Sequence, residues 1–75
     1  MNLYIIENVL KDEKPGMIVI AAPSLERCKQ LFVEEWPHQC FKHYHEQFDR
    51  AIKRGYCEVI EDVNIDEKII SYVYG

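Results

Sequence analysis

Leu3 to Val9 is a short run of aliphatic, β-branched and aromatic residues, the length of a strand rather than of a helix. Lys11-Asp12-Glu13-Lys14-Pro15-Gly16 interrupts it. Pro15-Gly16 offers the fixed φ and the permissive φ of a tight turn, so the next run, Met17 to Ala22, is expected to return antiparallel. Residues 3 to 22 thus read as a hairpin. Pro23-Ser24 ends it, and the Ser24 hydroxyl suits a helix N-cap, with Glu26 favourably placed near that positive end. Leu25, Cys28, Leu31, Phe32 and Trp36 then recur at helical spacing, with Glu26, Lys29, Gln30 and Glu34 turned to water. Pro37 closes or kinks this helix. A second helix is predicted from His38 to about Arg54, with Phe41, Tyr44 or His45, Phe48, and Ala51 or Ile52 on its apolar face, and Gly55 as its stop. Tyr56–Val63 and Lys68–Tyr74 complete the pattern as two further strands, joined by the turn Asn64-Ile65-Asp66-Glu67.

The order is β-β-α-α-β-β, one α+β domain over residues 1–75, expected as an antiparallel four-stranded sheet with two helices packed on one face. Two hairpins would flank the helices, and strand order is left open by the pattern. A sheet with one wet face alternates apolar and polar residues, yet Leu3-Tyr4-Ile5-Ile6, Ile18-Val19-Ile20 and Ile69-Ile70 are apolar toward both sides. Two helices cover one face only. Either a second copy of the chain, through the sheet face or an edge strand, or a different protein covers the other, or the second helix wraps round and the sheet tolerates exposed aliphatics.

Composition adds limits. At 75 residues the chain buries only ~60% of its unfolded surface, enough for one small core. Its 48% hydrophobic and 29% charged residues belong to a folded chain. The longest apolar run, Met17 to Pro23, falls far short of the ~20 residues that cross a bilayer, which predicts no membrane association. The first residues have no basic start and reach Glu7 quickly, unlike a secretory signal, so a cytoplasmic location is expected.

The net charge of −4 is unevenly spread. Residues 38–54 hold Lys42, Arg50, Lys53 and Arg54 against Glu46 and Asp49, whereas residues 55–75 hold Glu58, Glu61, Asp62, Asp66 and Glu67 against Lys68 alone. Such a chain is not built to coat duplex phosphate, but it can present one basic ridge.

Chemistry-bearing residues are few. Cys28, Cys40 and Cys57 are an odd number and predict no disulfide framework; each falls where a small buried hydrophobe would. His38, Cys40, His43 and His45 cluster, and Cys40 with His43 share a helix face, the only metal candidates. Zinc needs a second close pair, which is missing, so no metal and no cofactor is expected. Cys40 with His43 is also a conceivable thiolate pair, but no oxyanion loop or third orienting group accompanies it. Glu58, Glu61 and Asp62 read as solvated surface. The chain is therefore read as no enzyme.

Met17-Ile-Val-Ile-Ala-Ala-Pro-Ser-Leu-Glu-Arg-Cys28, a strand running into a Ser-capped helix after a hairpin, resembles the opening half of small phage-encoded proteins, including some anti-CRISPR inhibitors. The likeness covers residues 3 to about 33 and carries no functional residues over. It implies a small acidic domain that binds and obstructs another macromolecule, a phage or mobile-element accessory factor acting on a host or phage protein complex. The expected contact residues are Trp36, Phe41, Lys42, Tyr44, Arg50, Lys53, Arg54, Tyr72 and Tyr74, with the aromatics as anchors and the basic residues as charge complements. The alternative is a small nucleic-acid-associated regulator that stacks single strands on its sheet tyrosines beside the basic helix. A metal-binding module built on the His/Cys cluster comes third.

Overall fold

The computed structural model describes all residues, 1–75. It has the predicted order: β1 (Asn2–Val9), β2 (Gly16–Ala22), α1 (Leu25–Glu35), α2 (His38–Lys53), β3 (Cys57–Ile60) and β4 (Lys68–Val73). All strand pairings are antiparallel in a sheet of order β3-β1-β2-β4, with both helices on one side. The first hairpin forms as expected. The second does not: β3 pairs with β1 and β4 with β2, on opposite edges of the sheet. Residues 61–67 are thus a crossing rather than a turn. They pass the start of β1, where Val63 N–H donates to the Met1 carbonyl, and the start of α1, where Arg27 Nε donates to Glu67 Oε1 at 2.7 Å.

Local chemistry fixes the ends of each element. Ser24 Oγ accepts from Arg27 N–H at 3.2 Å and opens α1. Trp36, held out of helical geometry before Pro37, closes it. α2 carries a kink at Phe41 (φ −129°, ψ 37°), and it stops where Gly55 adopts φ 81°. There the carbonyls of Arg50, Ala51 and Ile52 accept the N–H groups of Arg54, Tyr56 and Gly55 respectively, so the last turn is capped by backbone alone.

Pro15-Gly16 serves differently from the expected tight turn. Gly16 is the first residue of β2, paired with Val9, and a Cβ there would collide with the Val73 carbonyl oxygen and lie 2.8 Å from that of Val9. Close approach of the backbone, not turn geometry, requires glycine at this position.

Alternation sorts the two faces. Tyr4 and Ile6 on β1, and Ile18, Ile20 and Ala22 on β2, lie under the helices with Cys28, Phe32, Trp36, Tyr44, Phe48 and Ala51. Phe32 centres this core, with ring centroids 4.7 Å from Phe48 and 5.0 Å from Trp36. A bulge at Asn8 (φ 60°) shifts the phase of β1, so that Val9, which strict alternation would put on the far side, is fully buried in the same core.

Candidate functional site

The far face of the sheet has no helix on it. From the register, its rows are Ile60, Leu3, Ala21 and Lys68; then Glu58, Ile5, Val19 and Ser71; then Glu7, Met17 and Val73. Leu3, Ile5, Met17 and Val19 in the middle are half-buried, while Ile60 and Val73 at the edges are 45% and 59% exposed. Ile70, beside the bulge in the β2–β4 pairing, is also exposed. The two-sided apolar pattern of the strands thus becomes a bare aliphatic face, with Glu7 and Glu58 on its β3 side and Lys68 at the opposite corner.

Two of the strand tyrosines, Tyr4 and Tyr72, do not lie on it, which shrinks the sheet platform that the nucleic-acid alternative needs. Tyr4 is buried under the helices. Tyr72 pairs with Ile18 and therefore points to the helix side, where it meets Trp36 edge-on at 5.2 Å. The sequence could not tell which strand phase these tyrosines occupy, because the phase of β4 depends on its register against β2.

The nine expected contact residues separate into two groups. Trp36, Phe41, Tyr44, Tyr72 and Tyr74 come together: the Trp36 indole N–H donates to the Tyr74 hydroxyl at 3.0 Å, Tyr44 lies 6.2 Å from Tyr74, and Phe41 stacks on Tyr44 at 5.5 Å. Trp36 and Tyr44 are nevertheless 2% and 5% exposed, so they are corrected from partner anchors to core residues. The Tyr44 hydroxyl donates to the Asp12 carboxylate at 3.2 Å, and burial together with that carboxylate pushes the phenol above its ordinary range. Only Tyr72 and Tyr74 present substantial aromatic surface from this cluster. Arg50, Lys53 and Arg54 sit at the far end of α2, and Lys42 is exposed next to the kink. The single aromatic and basic ridge expected along α2 is therefore an aromatic end and a basic end.

The histidines disperse as well. His45 Nε2 approaches the Trp36 carbonyl, which can only accept, so it donates there; its Nδ1 then accepts from His38 Nδ1 at 2.8 Å. This pair stitches the α1–α2 elbow. His43 instead stands against Tyr44, 4.0 Å from Asp12, and Cys40 is exposed. Nowhere do three or more His, Cys, Asp or Glu side chains converge as a cation site would need, so Cys40 and His43 gain no further ligand. All three cysteines are free. Burial, with Cys57 nearby, pushes the Cys28 thiol up to about 12, and burial raises that of Cys57. Neither has the lowered pKa of an activated nucleophile.

One feature escaped sequence reasoning altogether. The loop after β1 folds back on α2, where Gln47 holds it through two hydrogen bonds of 2.8 Å, accepting from Lys11 N–H and donating to the Lys11 carbonyl. Between loop and helix lies a cleft of about 400 Å³ lined by Asn8, Lys11, Asp12, Arg50, Arg54 and Tyr56 among others. Its parts come from three segments distant in the chain, and no local pattern joins them. Comparison with family models, curated proteins and solved structures found no match for this chain. No helix is long and apolar enough to cross a membrane.

Proposed function

We propose that this protein is a noncatalytic interaction protein that binds another protein through the open face of its sheet. The carrying observation is the aliphatic field of Leu3, Ile5, Met17 and Val19, continued by Ile60, Ile70 and Val73, opposite the helices. Aliphatic side chains gathered on one flat face gain about 25 cal/mol per Å² when a complementary surface removes them from water. Glu7 and Glu58 on one flank and Lys68 on the other give that association an orientation, because a partner must answer opposite charges at opposite sides. The aliphatic field supports binding as the reading, and the raised Cys28 and Cys57 thiols add no support for a catalytic one. Its narrower form is the one the resemblance over residues 3 to about 33 implies: an accessory factor of a phage or mobile element, acting in the cytoplasm by obstructing a host protein complex.

The test is affinity capture from nuclease-treated bacterial lysate with the wild-type protein, a doubly substituted Ile5→Lys/Val19→Lys protein, and a Lys42→Glu/Lys53→Glu protein. The expected result is one protein complex retained by the wild type and by the α2 variant and lost by the sheet variant, with circular dichroism showing that all three are folded. Equal capture by the sheet variant overturns the reading. Sedimentation of the purified protein separates the other occupant: a dimer that Ile5→Lys/Val19→Lys dissolves, with nothing captured, replaces the host complex by a second copy of the chain.

A further inference from the structure

We infer that the cleft between the β1–β2 loop and the end of α2 is a binding site for a small phosphate monoester, distinct from the sheet face. Arg50 in the last turn of α2 and Arg54 at its C-cap are four residues apart, a spacing that brings Cβ atoms on one side of a helix to about 6 Å. Lys11 faces them from the loop, fixed there by the paired Gln47 bonds to its backbone. Three cations around one concavity, in a chain of net charge −4, are a local reversal of the field.

Two observations keep these cations free. First, an arginine near a helix C-terminus commonly serves the last carbonyls, but here the carbonyls of Arg50, Ala51 and Ile52 already accept backbone N–H groups. Second, the ion pairs of this molecule involve Arg27, Lys29 and His43 and none of the three cleft cations. The one carboxylate in the lining, Asp12, accepts from the Tyr44 hydroxyl through both oxygens and stands 4.0 Å from His43 rather than pairing with a cleft cation, so three cations against one carboxylate leave the lining at +2. The guanidinium forks are thus unspent donors whose geometry suits a phosphate's oxygens, with Lys11 as a point charge opposite.

The volume, about 400 Å³, falls within the range of small-molecule pockets. Tyr56, 42% exposed on the rim, adds a ring face for whatever group the phosphate carries. The shared chemistry is the phosphate group; free phosphate and a nucleoside monophosphate are its two sources.

The test is a titration of the isotope-labelled protein followed by NMR, with inorganic phosphate, adenosine monophosphate and a short single-stranded oligonucleotide in separate arms, each against chloride at equal ionic strength. Saturable shifts of the Asn8, Lys11 and Tyr56 amides are expected with the first two ligands. Arg50→Gln/Arg54→Gln is expected to weaken them about tenfold or more, and Arg54→Lys, which keeps the charge and loses the fork, by less. Tighter binding of the monophosphate than of phosphate assigns a nucleotide; equal binding assigns the phosphate alone. Shifts that stay linear, that scatter over Lys42, Lys53 and Lys68, or that persist in the double variant overturn the site. So does an oligonucleotide that binds far more tightly with a steep salt dependence, the mark of phosphate-lattice binding. Both arginines are exposed and lie off the sheet face, so failure here leaves the capture experiment unaffected.

Discussion

Ile18 and Val19 are neighbours in the chain and face opposite sides of one sheet. Ile18 is fully buried among Phe32, Phe48 and the other side chains under the helices, whereas Val19 stands half-buried on the bare side. Both are β-branched and strand-forming, so local propensity treats them alike. The difference is what lies above them: on one side, two helices laid across β1 and β2; on the other, no helix. The covered face holds the core that makes the domain stable.

The largest effect that separates the faces is a core deletion. Ile18→Ala is expected to cost about 2–5 kcal/mol by urea denaturation, a large share of the stability of so small a domain. If the loss is no larger than for Val19, the two faces are not distinct in energy.

Next comes a pH dependence that belongs to the covered face. Burial raises the Cys28 thiol from its usual 9.0 to about 12. Above pH 9 the unfolded chain gives up this proton while the folded one keeps it, so stability is fully present below 9 and falls as pH rises toward 12, by up to about 1.4 kcal/mol per pH unit. Cys57 and Tyr44, also raised, add to the fall with the same sign. Denaturation midpoints of wild type and Cys28→Ala across this range should converge as the pH increases. Parallel curves would show that the thiol is not the group responsible.

Asn8 links the two faces, because its left-handed backbone makes the bulge that turns Val9 from the bare side into the core. Asn8→Ala is expected to cost about 1 kcal/mol through the strain of φ 60°, and Asn8→Gly to cost nothing or stabilise slightly. Thermal melts of the pair compare them directly; an alanine variant as stable as the glycine one would mean that the left-handed backbone at residue 8 carries no strain. The smallest effect is on the bare face: Val19→Thr should stay within about 0.5 kcal/mol in the same measurement.

Much of this architecture is legible in the chain. The Ser24 cap, the Gly55 stop, the helical spacing of Leu25 to Trp36 and the first hairpin all depend on neighbours in sequence, and the bare face is already present in runs such as Ile18-Val19-Ile20 that are apolar to both sides. Strand partnership is different. Nothing local in Cys57–Ile60 or Lys68–Val73 distinguishes pairing with each other from pairing with β1 and β2, so Asn64-Ile65-Asp66-Glu67 resembled a turn when it is part of a crossing. The same long-range choice decided the tyrosines, by setting the phase of β4. The burial of Trp36 and Tyr44 is illegible for a related reason: β4 and the loop carrying Asp12 arrive from distant segments to cover them. The basic cleft needed Lys11 and Tyr56 brought against Arg50 and Arg54, and no spacing rule spans that distance.

The crossing at residues 61–67 also bears on the order in which the molecule assembles. β1 and β2 close a local hairpin, but each edge strand waits for partners far back in the chain: β3 for β1 and β4 for β2. Loop-closure entropy therefore makes the hairpin and the helices cheaper to form than the docking of either edge. One short span ties those edges together, so docking β3 against β1 brings β4 within reach of the opposite flank.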